Sequence, residues 1–122
     1  MVDNLSISKP ENLNPAAVFH EVDITHPFLA DVVHREQPDL VFHLAAQVSV
    51  SNSTRDPIND NKINVLGTIR VLDAVRLGGS AKLIYSCTGG AQYGEPEVNP
   101  CTEDTPIRPM SPYVISKHVG EL

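Results

Sequence analysis

No apolar run in this sequence approaches the roughly 18–20 residues that a bilayer-crossing helix needs, so no transmembrane helix is expected. No basic stretch followed by an apolar one opens the chain, and no secretory signal is expected. Basic residues are scarce: nine Lys and Arg against fifteen Asp and Glu leave a net charge of −6. Without a basic block or an arginine-rich helix, a nucleic-acid surface is not expected. There are only two cysteines, Cys87 and Cys101, and they lack C-x-x-C spacing. The expected state is two reduced thiols in a cytoplasm, with a disulfide as the less favoured alternative. His20, His26, His34, His43 and His118 lack the spacing of metal ligands. His118 and Glu121 could share a helix face, but as solvated residues, so no metal site is expected. Internal repeats and low-complexity tracts are also absent.

What is present suits one modest domain with a core: 122 residues, 41% hydrophobic and 20% charged. "AVFHEVD" (17–23) predicts a short strand ending in an aspartate. "HPFLADVVHREQ" (26–37) has a helical apolar period, with Pro27 suited to the first turn and Pro38 as the stop. "DLVFHLAA" (39–46) is a continuous apolar run, as for a strand buried on both faces. The span 56–79 predicts one long helix. Ile63, Val65, Leu66, Ile69, Val71, Leu72 and Val75 would form its apolar face, and Gly78-Gly79 its C-cap. "AKLIYS" (81–86) predicts another buried strand, 87–111 one long loop, and 112–122 the start of a helix without a visible end. This order implies right-handed βαβ units and a parallel sheet, with ligands beyond the carboxyl ends of the strands. Asp23, Gln47, Ser86 and Thr88 fall at those ends.

In "SPYVISK" (111–117), Tyr113 and Lys117 stand four apart and so on one helix face. A phenol is a poor base at neutral pH, but a fixed ammonium beside it favours the phenolate. Such a pair can exchange protons with a substrate hydroxyl. The competing reading is a surface tyrosine next to a surface lysine, because the pattern alone is loose.

With "FHLAAQVSVSNSTRDP", "INVLGTIRVLDA", "LIYSCTGGAQYGEP" and "TEDTPIRPMSPYVISKHVGE" in one order, the chain resembles the extended short-chain dehydrogenase/reductase family. Within it, the resemblance is nearest to the UDP-glucose 4-epimerases and their NAD-dependent epimerase/dehydratase relatives, over essentially the whole length. The resemblance implies an α/β fold with a Rossmann-like, doubly wound parallel sheet, bound NAD, and a UDP-hexose substrate epimerised at C4 through a 4-keto intermediate. It assigns Tyr113 as acid/base and Lys117 to the nicotinamide ribose and to tuning the tyrosine. Thr88, with Ser86 behind it, would hydrogen-bond the reacting oxygen; Thr88 as a plain loop cap is the alternative. Cys87 stands where relatives often have serine, a better hydrogen-bond partner. Asp3, with Asn4 beside it, matches the residue that holds the adenosine ribose and favours NAD over NADP. Asp3 as a solvated terminal residue is the competing reading. Asp23 and Ile24 match the pair around the adenine, although Asp23 could instead cap the helix at 26, a role Thr25 also suits. Leu44, Ala45 and Ala46 match the small-residue turn near the dinucleotide, and Asn64 the asparagine that supports the cofactor site. His43 is read as a satisfied core residue.

The resemblance has a gap. No G-x-x-G-x-x-G occurs, so the first strand and its phosphate-binding turn are missing, as are the later strands and the substrate domain. Residues 1–122 are therefore expected to be a partial NAD-binding domain truncated at both ends, an internal slice of a longer protein that is poorly stable and inactive alone. Family members usually dimerise through the long helix and the Tyr/Lys helix, so a homodimer is expected of the parent. The 4,6-dehydratases carry an Asp-Glu pair after the catalytic threonine; here Gly89 and Gly90 follow Thr88, which speaks against dehydration. Other nucleotide-sugar enzymes of the family, or a binding protein that keeps the fold without the chemistry, remain open alternatives.

Overall fold

The strands are short and pair in parallel. In the computed structural model, which describes residues 1–79 and 82–122, β1 (Val2–Asp3) lies beside β2 (His20–Glu21). Separately, β3 (Leu40–His43) lies beside β4 (Lys82–Tyr85), with Leu40 opposite Lys82 and His43 opposite Tyr85. The predicted strand residue Ala81 lies outside the described residues. Between the strands run α1 (Leu29–Glu36), α2 (Val50–Arg55), α3 (Pro57–Asn61) and α4 (Gly67–Gly78), followed by α5 (Gly89–Gln92) and α6 (Pro112–Val119). This is the partial Rossmann-like α/β arrangement that the order of elements predicts.

The core is the contact of α1 with α4. Leu29, Val33, Val71, Ala74 and Val75 are buried there; Val2, Val41 and Leu83 of the strands, and Val22 and Ile24 just after β2, pack against them. The helices approach closely because glycines leave room: a Cβ on Gly78 would lie 2.8 Å from Cγ1 of Val33. The buried stripe of α4 therefore runs through Gly67, Thr68, Val71, Ala74, Val75 and Gly78. Val71 and Val75 of the expected apolar face are buried, whereas Leu66, Ile69 and Leu72 are exposed, because small residues fill the rest of the side that faces α1.

The helix predicted over 56–79 runs without a gap from Pro57 to Gly78, as α3, one turn at Lys62–Leu66 and α4. Pro57 lacks the N–H a continuous helix needs, so Asp56 ends α2 and caps α3, its side chain accepting from the Asn59 N–H at 2.9 Å. The residues Lys62–Leu66 then form one widened π turn, closed by the Gly67 N–H bonding back to the Lys62 carbonyl. Helix α2 was not expected; Ser49 starts it by accepting the Asn52 N–H. The long loop contains α5. Gln37, in the left-handed region at φ 45°, ends α1 one residue before Pro38. Gly120 ends α6, and Gly79 in the left-handed region caps α4 as expected.

Strand β3 is not buried on both faces. Val41 and His43 turn toward the helices, while Leu40 and Phe42 of β3 and Ile84 of β4 remain exposed, Phe42 to 60%. Among the described residues only one face of this pair of strands is covered. A groove of about 540 Å³ lies between the two sheets, lined by residues of β1 and β3 alike. No helix among the described residues is long and apolar enough to cross a membrane.

Candidate active site

The carboxyl ends of the strands gather the polar residues singled out above in two clusters. The first lies at the ends of β1 and β2. Asp23 accepts from the Thr25 N–H at 2.8 Å and the Thr25 hydroxyl at 2.7 Å, while the Asn4 amide donates to its other oxygen at 2.8 Å. Partial burial pushes the Asp23 carboxyl up, but these donors, with Lys62 nearby, bring it below the usual carboxylate range. Asp23 thus builds a local turn, and neither it nor Thr25 caps α1, whose first turn has no side-chain cap. Asp3 accepts from the Leu5 N–H at 2.6 Å and the Ser8 hydroxyl at 3.0 Å. A carboxylate has about four lone-pair sites, so it retains capacity for a further donor. Asp3, Ile24, Leu44 and Ala45 line the groove between the sheets.

The second cluster surrounds α6. Ser111 caps this helix, accepting the Val114 N–H, and Pro112 occupies its first position. Tyr113 and Lys117 follow on one side. Lys117 is buried, only 3% exposed. Its ammonium lies 4.3 Å from the centroid of the Tyr85 ring and, among the described residues, meets no hydrogen-bond acceptor. Burial lowers its pKa, with Cys87 and Glu121 opposing. Thr88 sits at the start of α5, its hydroxyl free of any capping bond. The Ser86 N–H extends the strand pairing by bonding the His43 carbonyl at 3.1 Å. The Cys87 thiol, raised by burial, is turned toward Gln92 Oε1 at 3.0 Å. No hydrogen bond joins the Tyr113, Thr88 and Lys117 side chains to one another among the described residues; Tyr113 and Lys117 share α6, and Thr88 precedes α5.

Asn64 connects the loop after β3 to α6. Its amide oxygen accepts the Gln47 N–H at 2.8 Å, and its NH₂ reaches the Gln47 carbonyl at 3.0 Å and Ser116 Oγ at 3.1 Å. This fixes the chain immediately after Leu44, Ala45 and Ala46. The centre of the network is Asp60, 1% exposed. Its carboxylate accepts from Ser116 Oγ at 2.6 Å, Gln47 Nε2 at 2.6 Å and Asn64 Nδ2 at 3.2 Å. Sequence reasoning did not single out Asp60, Ser116 or Tyr85. The available signal was weak: a carboxylate four residues before Asn64, and so on the same helix face, in the polar stretch Asn59–Lys62. His43 is a satisfied core residue, as expected: Thr68 Oγ1 donates to the Asn64 carbonyl at 2.6 Å, so His43 Nε2 carries the proton and donates to Thr68 at 3.0 Å.

The family model described as GDP-mannose 4,6 dehydratase matches residues 1–122. A UDP-glucose 4-epimerase of Mycolicibacterium smegmatis is 40% identical over 126 residues, an alignment covering 99% of this chain and 40% of the relative. The solved UDP-glucose 4-epimerase of Thermotoga maritima, in complex with UDP-glucose, superposes with a TM-score of 0.95 at 43% identity over 98% of this chain and 40% of its own. That of Thermus thermophilus, in complex with NAD, gives 0.93 at 40% identity over 98% of this chain and 39% of its own. The chain spans about 40% of the length of these relatives.

Proposed function

We propose a 4-epimerase function from one premise: the chain belongs to the extended short-chain dehydrogenase/reductase family, in its NAD-dependent epimerase/dehydratase branch. The whole protein interconverts UDP-glucose and UDP-galactose, and residues 1–122 form part of its NAD-binding domain. The observation that carries this reading is Lys117. A buried ammonium that meets no acceptor among the described residues, one turn along α6 from a tyrosine, is completed by ligand oxygens such as ribose hydroxyls.

NAD, when bound, supplies the hydride acceptor and donor at the sugar C4. Tyr113 takes the proton of the 4-hydroxyl and returns it to the same oxygen after the 4-keto sugar has turned over. Lys117 holds the nicotinamide ribose and supports Tyr113 from one turn along the same helix. Thr88 offers its free hydroxyl to the reacting oxygen, with Ser86 as the second candidate. Asp3 receives the adenosine ribose hydroxyls with its remaining lone pairs, and Asn4, Asp23 and Ile24 flank the adenine. Leu44, Ala45 and Ala46 let the dinucleotide approach the backbone, on a loop that Asn64 fixes. The exposed apolar residues Leu66, Ile69, Ile115 and Val119 support a homodimer built on α4 and α6. Both thiols are free, which fits a cytoplasmic protein.

A dehydratase is the second reading, favoured by the description of the matching family model. Against it, Thr88 is followed by Gly89-Gly90 and so lacks the acidic pair that would work on C5 and C6. The purified whole protein should convert UDP-galactose to UDP-glucose, and Tyr113→Phe should abolish turnover with NAD still bound. Turnover retained in that variant overturns the acid/base assignment. A 4-keto-6-deoxy product from the unaltered protein overturns the epimerase reading in favour of dehydration.

A further inference from the structure

Lys117 is held by a residue to which the reading above gives no role. Tyr85, the last residue of β4, places its ring under the ammonium, 4.3 Å from centroid to Nζ. The same residue's hydroxyl donates to the backbone carbonyl of Lys117 at 3.0 Å. One side chain therefore touches both the charged end of the lysine and the main chain from which it springs. The ring packs directly against the end of α6. A Cβ on Gly120 would lie 2.5 Å from both Cζ and Oη of Tyr85, so α6 closes on the ring only because that position is glycine. His43 also neighbours the ring, its centroid 5.5 Å away at a 49° tilt and its own Nε2–H committed to Thr68.

We propose that Tyr85 is a positioning residue for Lys117: its ring face keeps the buried ammonium charged and aimed, and its hydroxyl fixes the helix carbonyl at the root of that side chain. A ring face attracts a cation most strongly where water is excluded. The catalytic consequence rests on the epimerase reading, in which Lys117 supports Tyr113. The two contacts separate by substitution, because phenylalanine keeps the ring and loses the hydroxyl, while leucine loses both. Besides Tyr85, the titratable groups facing Lys117 among the described residues are His43 on β3, Cys87 after β4 and Glu121 after α6, and Tyr113 faces Tyr85. All of them are unchanged in either variant.

The test uses the whole protein with Tyr85→Phe and Tyr85→Leu. In Tyr85→Leu, kcat should fall roughly 3- to 30-fold, the worth of a buried cation–ring contact. KM for the sugar nucleotide should stay unchanged, and the alkaline limb of the kcat profile should move to lower pH. In Tyr85→Phe that limb should stay in place, with roughly a 2- to 10-fold loss from the missing hydrogen bond. A leucine variant with an unmoved limb, or with equal loss at every pH, overturns the proposal, since packing alone would give that. Should the leucine variant fold poorly, Tyr85→Met offers the same readout with a flexible filler. The titration of the Lys117 Cε resonance, read by NMR in selectively labelled protein, needs no turnover. Its midpoint should move down in the leucine or methionine variant and hold in the phenylalanine one; a midpoint that does not move refutes the role of Tyr85. If the unaltered protein turns over no UDP-hexose, the epimerase reading fails, and the NMR titration still decides the question of Tyr85.

Discussion

Asp60 offers the sharpest test of how α6 is held. Its carboxylate is almost fully buried, and the groups within reach are donors: Ser116 Oγ and Gln47 Nε2 at 2.6 Å, and Asn64 Nδ2 at 3.2 Å. Truncation to alanine removes three hydrogen bonds to a charged acceptor, each worth about 1.5–3 kcal/mol. Each donor has a fallback, however. Ser116 can turn to the Tyr113 carbonyl at 2.9 Å, Gln47 to the Ser49 carbonyl at 3.0 Å, and Asn64 already reaches the Gln47 carbonyl at 3.0 Å. The expected net loss for Asp60→Ala is therefore about 2–4 kcal/mol rather than the sum. Asp60→Asn keeps one acceptor oxygen, and Ser116 can rotate to accept from the new NH₂, so its loss should be about 1–2 kcal/mol. Denaturant unfolding of the whole protein measures both, with the slope m held as the check on two-state behaviour. Equal losses for the two variants would refute the account, because charge rather than the pattern of donors would then dominate. A loss below about 1 kcal/mol for alanine would show that the fallback acceptors suffice.

Two further outcomes are expected. Burial first, and the Lys117 charge second, depress the His43 pKa from 6.5 to about 4. The unfolded chain then binds the extra proton first, so stability is lost as pH falls from 6.5 toward about 4, by on the order of 3 kcal/mol. His43→Gln should flatten that part of the pH–stability curve, and an unchanged slope would mean that other groups cause it. If the whole protein forms the proposed dimer, Ile69→Glu, on the exposed side of α4, should convert it to monomer in sedimentation; a persisting dimer places the interface elsewhere.

The helix that carries the proposed acid/base pair was legible because its signals are local. Tyr113 and Lys117 share a helix face by spacing alone, and Pro112 and Ser111 announce where that helix begins. The parallel strands were legible from apolar runs, but their burial was not. A run such as Leu40–His43 reads the same whether one face or two are covered, and Phe42 is open here. Part of the α4 face was misjudged for a related reason. Hydrophobicity points to Leu66, Ile69 and Leu72, whereas close helix packing selects Gly67, Thr68 and Ala74, which score poorly on any apolar scale. Asp60 and Tyr85 escaped because their partners, Ser116 and Lys117, lie more than thirty residues away. Nothing in a local window connects them.

The single widened turn at Lys62–Leu66 bears on how this segment can change by insertion and deletion. A π turn amounts to one residue added to an α-helix, and each α-helical residue advances the helix by about 100°. Deleting one residue there would restore unbroken helical bonding and, by helix propensity alone, would be favourable. It would also rotate everything upstream by that angle relative to α4, swinging Asp60 away from Ser116 while leaving Thr68 and Val71 in place. The turn therefore acts as a phase-setter, and its length matters more than its composition. Variants with altered residues at 62, 63, 65 and 66 should be accepted far more readily than variants that are one residue shorter.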